Sequence, residues 1–272
     1  MDISDLFSRF RKKDHEPFHD NSHRERICIY TAVSAGCDVI RQPLFVNPEI
    51  DFFVFCDNEE QPISPPWQRL PMDFYLRNPR VSSRYYKLLP HKFFGSYDIS
   101  MWVDANFLIK RDPSPLISSC LQDKNMAFFR HPDRNCIYKE AAVVIKKRLE
   151  QEAIVKRQIE RYKREGYSAG KGLIYGGIIL RRHNKAQVIK AMEDWWHEVS
   201  HYSQRDQLSA NYVFWKNAVD YSNIGTTAIL SISNILEENT IWNWTIFERF
   251  KPDIMMIMAI ELKRIPYQGS EL

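Results

Sequence analysis

The sequence predicts an α/β domain built on a mostly parallel sheet. Two observations carry that reading. Short apolar runs at residues 26–33 (RICIYTAV), 50–55 (IDFFVF) and 99–103 (ISMWV) are too continuous to leave one face in water, the mark of strands covered on both sides. These runs alternate with longer stretches of helical period, as in a sheet layered by helices. A third observation concerns ligands. The run at 99–103 ends on Asp104-Ala105-Asn106 before apolar sequence resumes as Phe107-Leu108-Ile109. In open α/β sheets, ligands lie outside the carboxyl ends of the strands.

Residues 1–25 read as a leader. Leu6, Phe7 and Phe10 give it an apolar face, and Arg11, Lys12 and Lys13 follow. A helix lying on a membrane surface is one reading and a locally packed terminus the other. Residues 26–272 read as a single domain. Its first strand is 26–33, followed by a loop carrying Gly36, and its second is 50–55, ending at Cys56-Asp57-Asn58. Pro62, Pro65 and Pro66 mark 61–71 as a connector, with room for a short edge strand at 67–70. Residues 81–94 (VSSRYYKLLPHKFF) keep a helical period until Pro90 ends or kinks it. Past the strand at 99–103, Asp112-Pro113-Ser114-Pro115 breaks the chain, and 126–129 (MAFF) is another short strand.

Residues 138–165 read as one long helix with an interrupted apolar stripe through Ala142, Ile145, Leu149, Ile154, Ile159 and Tyr162. That stretch carries nine basic and five acidic residues, so its charge equals the +4 of the whole chain. A solvated face accounts for it more simply than an acceptor or membrane contact. A glycine-containing loop at 166–172 leads into a strand at 173–180 (LIYGGIIL). Asn184 is placed to cap a helix over 185–199. A further helix over 205–216 begins with Asp206-Gln207, and an aromatic cluster (Trp242, Trp244, Phe247, Phe250) lies near the end of the sequence.

Composition narrows the function. The 272 residues are 44% hydrophobic and 26% charged, with net charge +4. That balance suits an anionic small substrate and is too weak to argue for nucleic acid. The five cysteines are odd in number and match no zinc spacing, which predicts reduced thiols. With no secretory signal in the leader, the expected location is cytoplasmic, with a peripheral contact at the inner face of a membrane if the leader binds lipid. The longest apolar run near the end, 254–260, is too short to cross a bilayer.

Asp104 and Asn106 are the candidate metal ligands. Hard cations such as Mn2+ or Mg2+ prefer oxygen ligands and often bridge to substrate phosphates. Arg84 and Lys87 are three apart and share a helical face, a guanidinium and an ammonium suited to phosphate oxygens. The same residues also occur in ordinary strand-end turns and on solvated helix faces.

In their order, strand RICIYTAV, strand FFVFCDN, helix SSRYYKLLPHKFF, strand ISMWVDANFLI, strand YGGIILRRHN and helix RDQLSANYVFW, these pieces resemble the GT-A class of nucleotide-sugar glycosyltransferases. More closely, they are similar to the glycosyltransferase family that groups bacterial proteins with plant Golgi proteins related to mucilage synthesis. The resemblance runs over about residues 26–216. It implies a GT-A-like, Rossmann-like three-layer sandwich and a hexosyltransferase-type activity. The donor would be a nucleotide sugar, with uridine as the base, and the acceptor a glycan or lipid-linked hydroxyl. It further implies that Tyr30, Thr31, Ala32, Asp57 and Asn58, at the first two strand tips, hold base and ribose. Arg84 and Lys87 would meet the donor, and Gly176 and Gly177 would let backbone approach its sugar. Asp206, with Gln207, would face the reacting carbon, as base or as electrostatic partner. The usual Asp-X-Asp is Asp104-Ala105-Asn106 here, so one ligand brings no charge. A metal-dependent hydrolase and a non-catalytic glycan-binding module are the competing readings of the same residues.

Overall fold

The computed structural model describes residues 24–34, 40–76, 78–224 and 236–238. The first 23 residues and the Trp242–Phe250 aromatic cluster fall outside the described residues.

The chain enters the sheet at its centre. Strand β1 (Ile27–Val33) pairs in parallel with β2 (Ile50–Cys56) on one side and with β4 (Ile99–Val103) on the other. Strand β3 (Trp67–Leu70) adds in parallel to β2 as an edge. Beyond β4 comes β7 (Ile174–Arg181), antiparallel, then β6 (Met126–Arg130), antiparallel to β7, then β8 (Ser222–Ile224), parallel to β6. The order is β3-β2-β1-β4-β7-β6-β8. Four of its six pairings are parallel, in keeping with the expected mostly parallel sheet. A second, two-stranded sheet joins β5 (Phe107–Ile109) to β9 (Leu236–Glu238).

Strand side chains alternate between faces, and here both faces are apolar. Cys28, Tyr30, Phe53, Phe55, Trp102 and Phe128 point to one side. That side is covered by α1 (Pro79–Leu88), α3 (Ile137–Lys146), α4 (Glu152–Arg164), α5 (Ala186–His201) and α6 (Gln207–Lys216). Ile29, Phe52, Val54, Met101 and Leu180 point to the other side, which is covered by the short α2 (Ser114–Cys120) and by loop residues such as Ile40 and Ile63. Among the described residues the three layers are therefore lopsided, with five helices on one face and one on the other. Trp195 of α5, fully buried, fills the thick layer and donates its indole N–H to the carbonyl of Asp206 at 3.0 Å.

Three local expectations are corrected. The long helix over 138–165 is two helices, α3 and α4. The break comes at Arg148, which adopts the left-handed φ of 53°. Leu149, which the apolar stripe had counted as inward, is exposed there. Asn184 does not cap α5. Its amide reaches across the sheet end to the carbonyls of Gly95 and Tyr97, at 3.1 and 2.8 Å, and Lys185 stands at the N-cap. The Asp112-Pro113-Ser114-Pro115 break opens α2, because the Asp112 carboxylate accepts from Ser114 N–H at 3.0 Å and from its hydroxyl at 2.7 Å. Pro90 does end α1, and a single 3₁₀ turn over Pro90–Lys92 follows. No helix among the described residues is long and apolar enough to cross a membrane.

Candidate functional site

The carboxyl end of β4 is a tight turn. Phe107 N–H closes it on the carbonyl of Asp104 at 3.0 Å, and Asp104 N–H donates to the carbonyl of Gly177 in β7 at 2.8 Å. The Asp104 carboxylate is thus carried out of the sheet on a fixed backbone. Its Oδ1 accepts from the Trp102 indole at 2.6 Å and lies 3.5 Å from Lys87 Nζ. The side chain remains 41% exposed, enough to meet a ligand. Asn106 sits two residues on and is half-buried.

Lys87 ties the site together. Its ammonium lies 2.8 Å from Asp206 Oδ2, and Arg84 Nε lies 3.9 Å from the same oxygen. Asp206 caps α6 through Gln207 N–H, which its Oδ1 accepts at 3.0 Å. Burial pushes the Asp206 carboxyl up, but Lys87 first, then Arg84 and Arg205, outweigh it and hold the group well below the ordinary carboxylate range. Gly176 makes room for the pair. A Cβ there would stand 3.3 Å from both Lys87 Nζ and Asp206 Oδ2. Arg84, Lys87, Asp104, Gly176, Asp206 and Gln207, spread over more than a hundred residues of sequence, converge at one end of the sheet.

The main chain of Lys87 is anchored from behind. Its carbonyl accepts from the Tyr30 hydroxyl at 2.9 Å and from Arg181 Nη2 at 2.9 Å, and Arg181 also bonds the Tyr30 oxygen. Arg181 is fully buried. It also meets Met192 Sδ at 3.3 Å, and burial lowers its pKa. A buried guanidinium among neutral acceptors is costly unless its hydrogen bonds are made, and here those bonds fix the last turn of α1.

The tip of the first strand comes later than the sequence reading placed it. β1 continues through Val33, so Tyr30, Thr31 and Ala32 are interior strand residues paired with Phe53, Val54 and Phe55. Tyr30 belongs to the core behind Lys87, and Thr31 and Ala32 are buried too. The tip is reached at Ser34, whose hydroxyl donates to Asp57 Oδ2 at 2.6 Å and joins the ends of β1 and β2. Asn58 uses its side chain locally, accepting from Glu60 N–H at 3.0 Å. Gly177 serves packing: a Cβ there would stand 2.7 Å from the Tyr175 ring and 3.0 Å from that of Phe107. Trp102 and Arg181 were missed in the sequence. The only signal for Arg181 is a pair of arginines ending an otherwise apolar strand.

Among the described residues no three His, Cys, Asp or Glu side chains converge to hold a metal on their own. Asp104 and Asn106 offer oxygens of the kind that hard cations prefer, a cation taking its remaining ligands from phosphates and water, and Asp104 Oδ1 already meets the Trp102 indole and Lys87.

The layered α/β fold, with its strand tips gathered on one edge, defines a GT-A-type domain of the glycosyltransferase class. Within that class the chain belongs to the TOD1/MUCI70 glycosyltransferase-like domain family, whose sequence profile matches residues 70–227. It is 27% identical over 218 residues to the probable hexosyltransferase MUCI70 of Arabidopsis thaliana. That match covers 69% of this chain but 37% of the plant protein, so the chain spans little more than a third of its relative. Among solved structures it is similar to the galactosyltransferase LgtC in complex with donor and acceptor sugar analogues, with 15% identity, coverage of 68% of this chain and 70% of that one, and a TM-score of 0.38. It is also similar to the glycosyltransferase GlyE of Streptococcus pneumoniae TIGR4, with 10% identity, coverage of 87% and 52%, and a TM-score of 0.44.

Proposed function

We propose that this domain transfers a sugar from a nucleotide-diphosphate donor, with uridine as its base, to a hydroxyl of a glycan or lipid-linked acceptor. The observation that supports this reading is the charge cluster of Arg84, Lys87, Asp104 and Asp206 at the carboxyl edge of the sheet. When the bond at the anomeric carbon breaks, the departing diphosphate gains negative charge. Arg84 and Lys87 are the groups to meet it, the guanidinium as a fork and the ammonium as a point charge. With the Lys87 backbone anchored by Tyr30 and Arg181, only its side chain needs to turn from Asp206 toward phosphate.

Asp206 suits an electrostatic role better than a proton-accepting one. General bases work best with a pKa near the working pH, and this carboxylate is held far below it. It would face the positive charge that develops on the sugar ring, with the Gln207 amide beside it for a sugar hydroxyl. The cluster holds two cations and two anions, so it leaves the charge of a diphosphate unbalanced. Asp104, with the Asn106 carbonyl, would hold Mn2+ or Mg2+ against the phosphates, and bound there the ion supplies Lewis-acid stabilisation of the leaving group.

Calorimetric titration of UDP-sugars with and without Mn2+, for the wild type and Asp104→Ala, tests the assignment. The wild type should bind at least one UDP-sugar, tightened about tenfold by the ion, the scale of one charge-assisted contact. Asp104→Ala should lose that increment. Equal titrations for the two proteins, or no nucleotide bound by either, would refute it.

A further inference from the structure

A second concavity lies on the same edge of the sheet, at the end of β6. Its volume is about 660 Å³. One wall is the loop after β6, from Arg130 to Asn135. The other is the loop before β7, from Gly170 to Leu173, with Tyr221 at the back. Backbone bonds lock the walls together. His131 N–H donates to the Leu173 carbonyl at 2.8 Å, and Gly172 N–H donates to the Asn135 carbonyl at 3.0 Å. Gly172 takes a φ of +94°, open to glycine and strained for other residues, and a Cβ there would stand 3.2 Å from Asn211 Nδ2. The cavity is therefore built before any ligand arrives.

Its charge is one-sided. Arg130, Arg134 and Lys171 line it, against the single carboxylate of Asp133. Arg134 is already committed, at 2.5 Å from the buried Glu140 and 3.7 Å from Asp133. Arg130 and Lys171 are exposed, and among the described residues no carboxylate stands within ion-pair distance of either. Two cations, one on each wall and without a carboxylate partner among the described residues, line one cavity and suit it to an anion.

The position relates it to the charge cluster. Asn211 joins the two places, because its carbonyl accepts from Ile174 N–H at 3.0 Å and its amide donates to the Tyr221 hydroxyl at 2.8 Å. Asn211 is five residues along α6 from Asp206, which is roughly 7–8 Å at the helical rise. Ile174 is two residues along β7 from Gly176, about the same distance at the strand rise. Asn211 and Ile174, which border the cavity through Tyr221 and Leu173, thus lie roughly 7–8 Å along the backbone from the charge cluster.

We propose that this cavity is an acceptor subsite that recognises an anionic sugar, through a carboxylate or a phosphate, beyond the point of transfer. The word acceptor rests on the transferase reading; the anion site rests on the cavity alone. The test titrates wild type with a uronic acid tetramer, its neutral hexose counterpart and a hexose 1-phosphate at matched ionic strength. UDP-sugar is titrated in parallel. The two anionic probes identify which source of charge is preferred, and the neutral tetramer should bind at least about tenfold more weakly, the loss expected for a charge-assisted hydrogen bond. The double variant Arg130→Ala, Lys171→Ala should lose that preference and keep its UDP-sugar affinity. The charge-preserving pair Arg130→Lys, Lys171→Arg should retain it. Both positions are exposed and free of the buried Glu140 bond, so the fold is not put at risk. Equal binding of charged and neutral tetramers, no anionic probe bound at millimolar concentration, or an unchanged double variant would overturn the proposal. Anion binding without UDP-sugar binding in the wild type would overturn the acceptor role and the transferase reading together, leaving an anion site.

Discussion

Two buried carboxylates, Glu198 in α5 and Asp206 at the start of α6, lie eight residues apart and are held in opposite ways. Glu198 is saturated. It accepts from Arg161 Nη2 at 2.6 and 2.5 Å, from the Tyr162 hydroxyl at 2.6 Å and from Gln158 Nε2 at 3.2 Å, all on α4. Asp206 spends one oxygen on its own helix cap. The other holds Lys87 and Arg84 by charge, at 2.8 and 3.9 Å, without a well-aligned hydrogen bond. A saturated carboxylate locks two helices together and has nothing left for a ligand. An under-saturated one, facing cations that phosphate also wants, is ready to exchange partners. The contrast makes Asp206 the candidate for exchange with a ligand and Glu198 a structural tie.

The largest expected effect breaks the Glu198 side. Glu198→Ala takes from Arg161, 22% exposed, its short ion pair, leaving Glu165 at 3.9 Å, and removes the acceptor of the Tyr162 hydroxyl. Removing one member of a buried pair costs about 3–5 kcal/mol, so the melting temperature should fall by several degrees or more. UDP-sugar affinity, measured on the folded fraction, should stay within about twofold, because additivity holds for sites without shared partners. A variant of normal stability would show that the network does not hold α4 to α5.

Asp206→Asn sharpens the other side. The amide keeps the size of the carboxylate and removes its charge. Transfer should fall by about 10²–10³-fold, the range for losing one preorganised electrostatic group. Thermal stability should fall as well, since Lys87 and Arg84 lose the charge of a buried partner, although Lys87 keeps Asp104 at 3.5 Å. If Asp206→Asn transfers sugar at the wild-type rate, the residue is only a helix cap.

The same contrast explains how far the sequence could be read. The strands were legible because both faces of the sheet are covered, so runs such as IDFFVF carry a strong and continuous signal. Arg84 and Lys87 were legible as a shared helical face, and Asp104 as a strand end. The tip of the first strand was placed too early, at Tyr30, Thr31 and Ala32, because a resemblance fixes which strand comes first but not the residue at which it leaves the sheet. That residue is Ser34. Arg181 was invisible, since its value lies in a contact with the Lys87 carbonyl 94 residues away. The cationic cavity was invisible for the same reason. Arg130 and Lys171 meet only because two loops are stitched by backbone bonds, which no side-chain pattern encodes.

The smallest effect is one of pH. Asp206 has a folded-state pKa held well below its ordinary 3.8. A depressed carboxyl stabilises the fold above its unfolded value, and that contribution is lost as pH falls through the folded one. The stability difference between wild type and Asp206→Asn should therefore be constant from about pH 8 to about pH 5 and shrink below about pH 4. Chemical denaturation at each pH measures it. The rate profile gives the companion reading. An anion that never gains a proton near neutrality contributes no acid limb there, so transfer should show none between about pH 5 and 7 that Asp206→Asn abolishes. Such a limb would mean that donor binding pulls Lys87 away and lets the Asp206 pKa climb toward the range of a working base. The under-saturated carboxylate would then act by accepting a proton, and the electrostatic role assigned to it would be the wrong one.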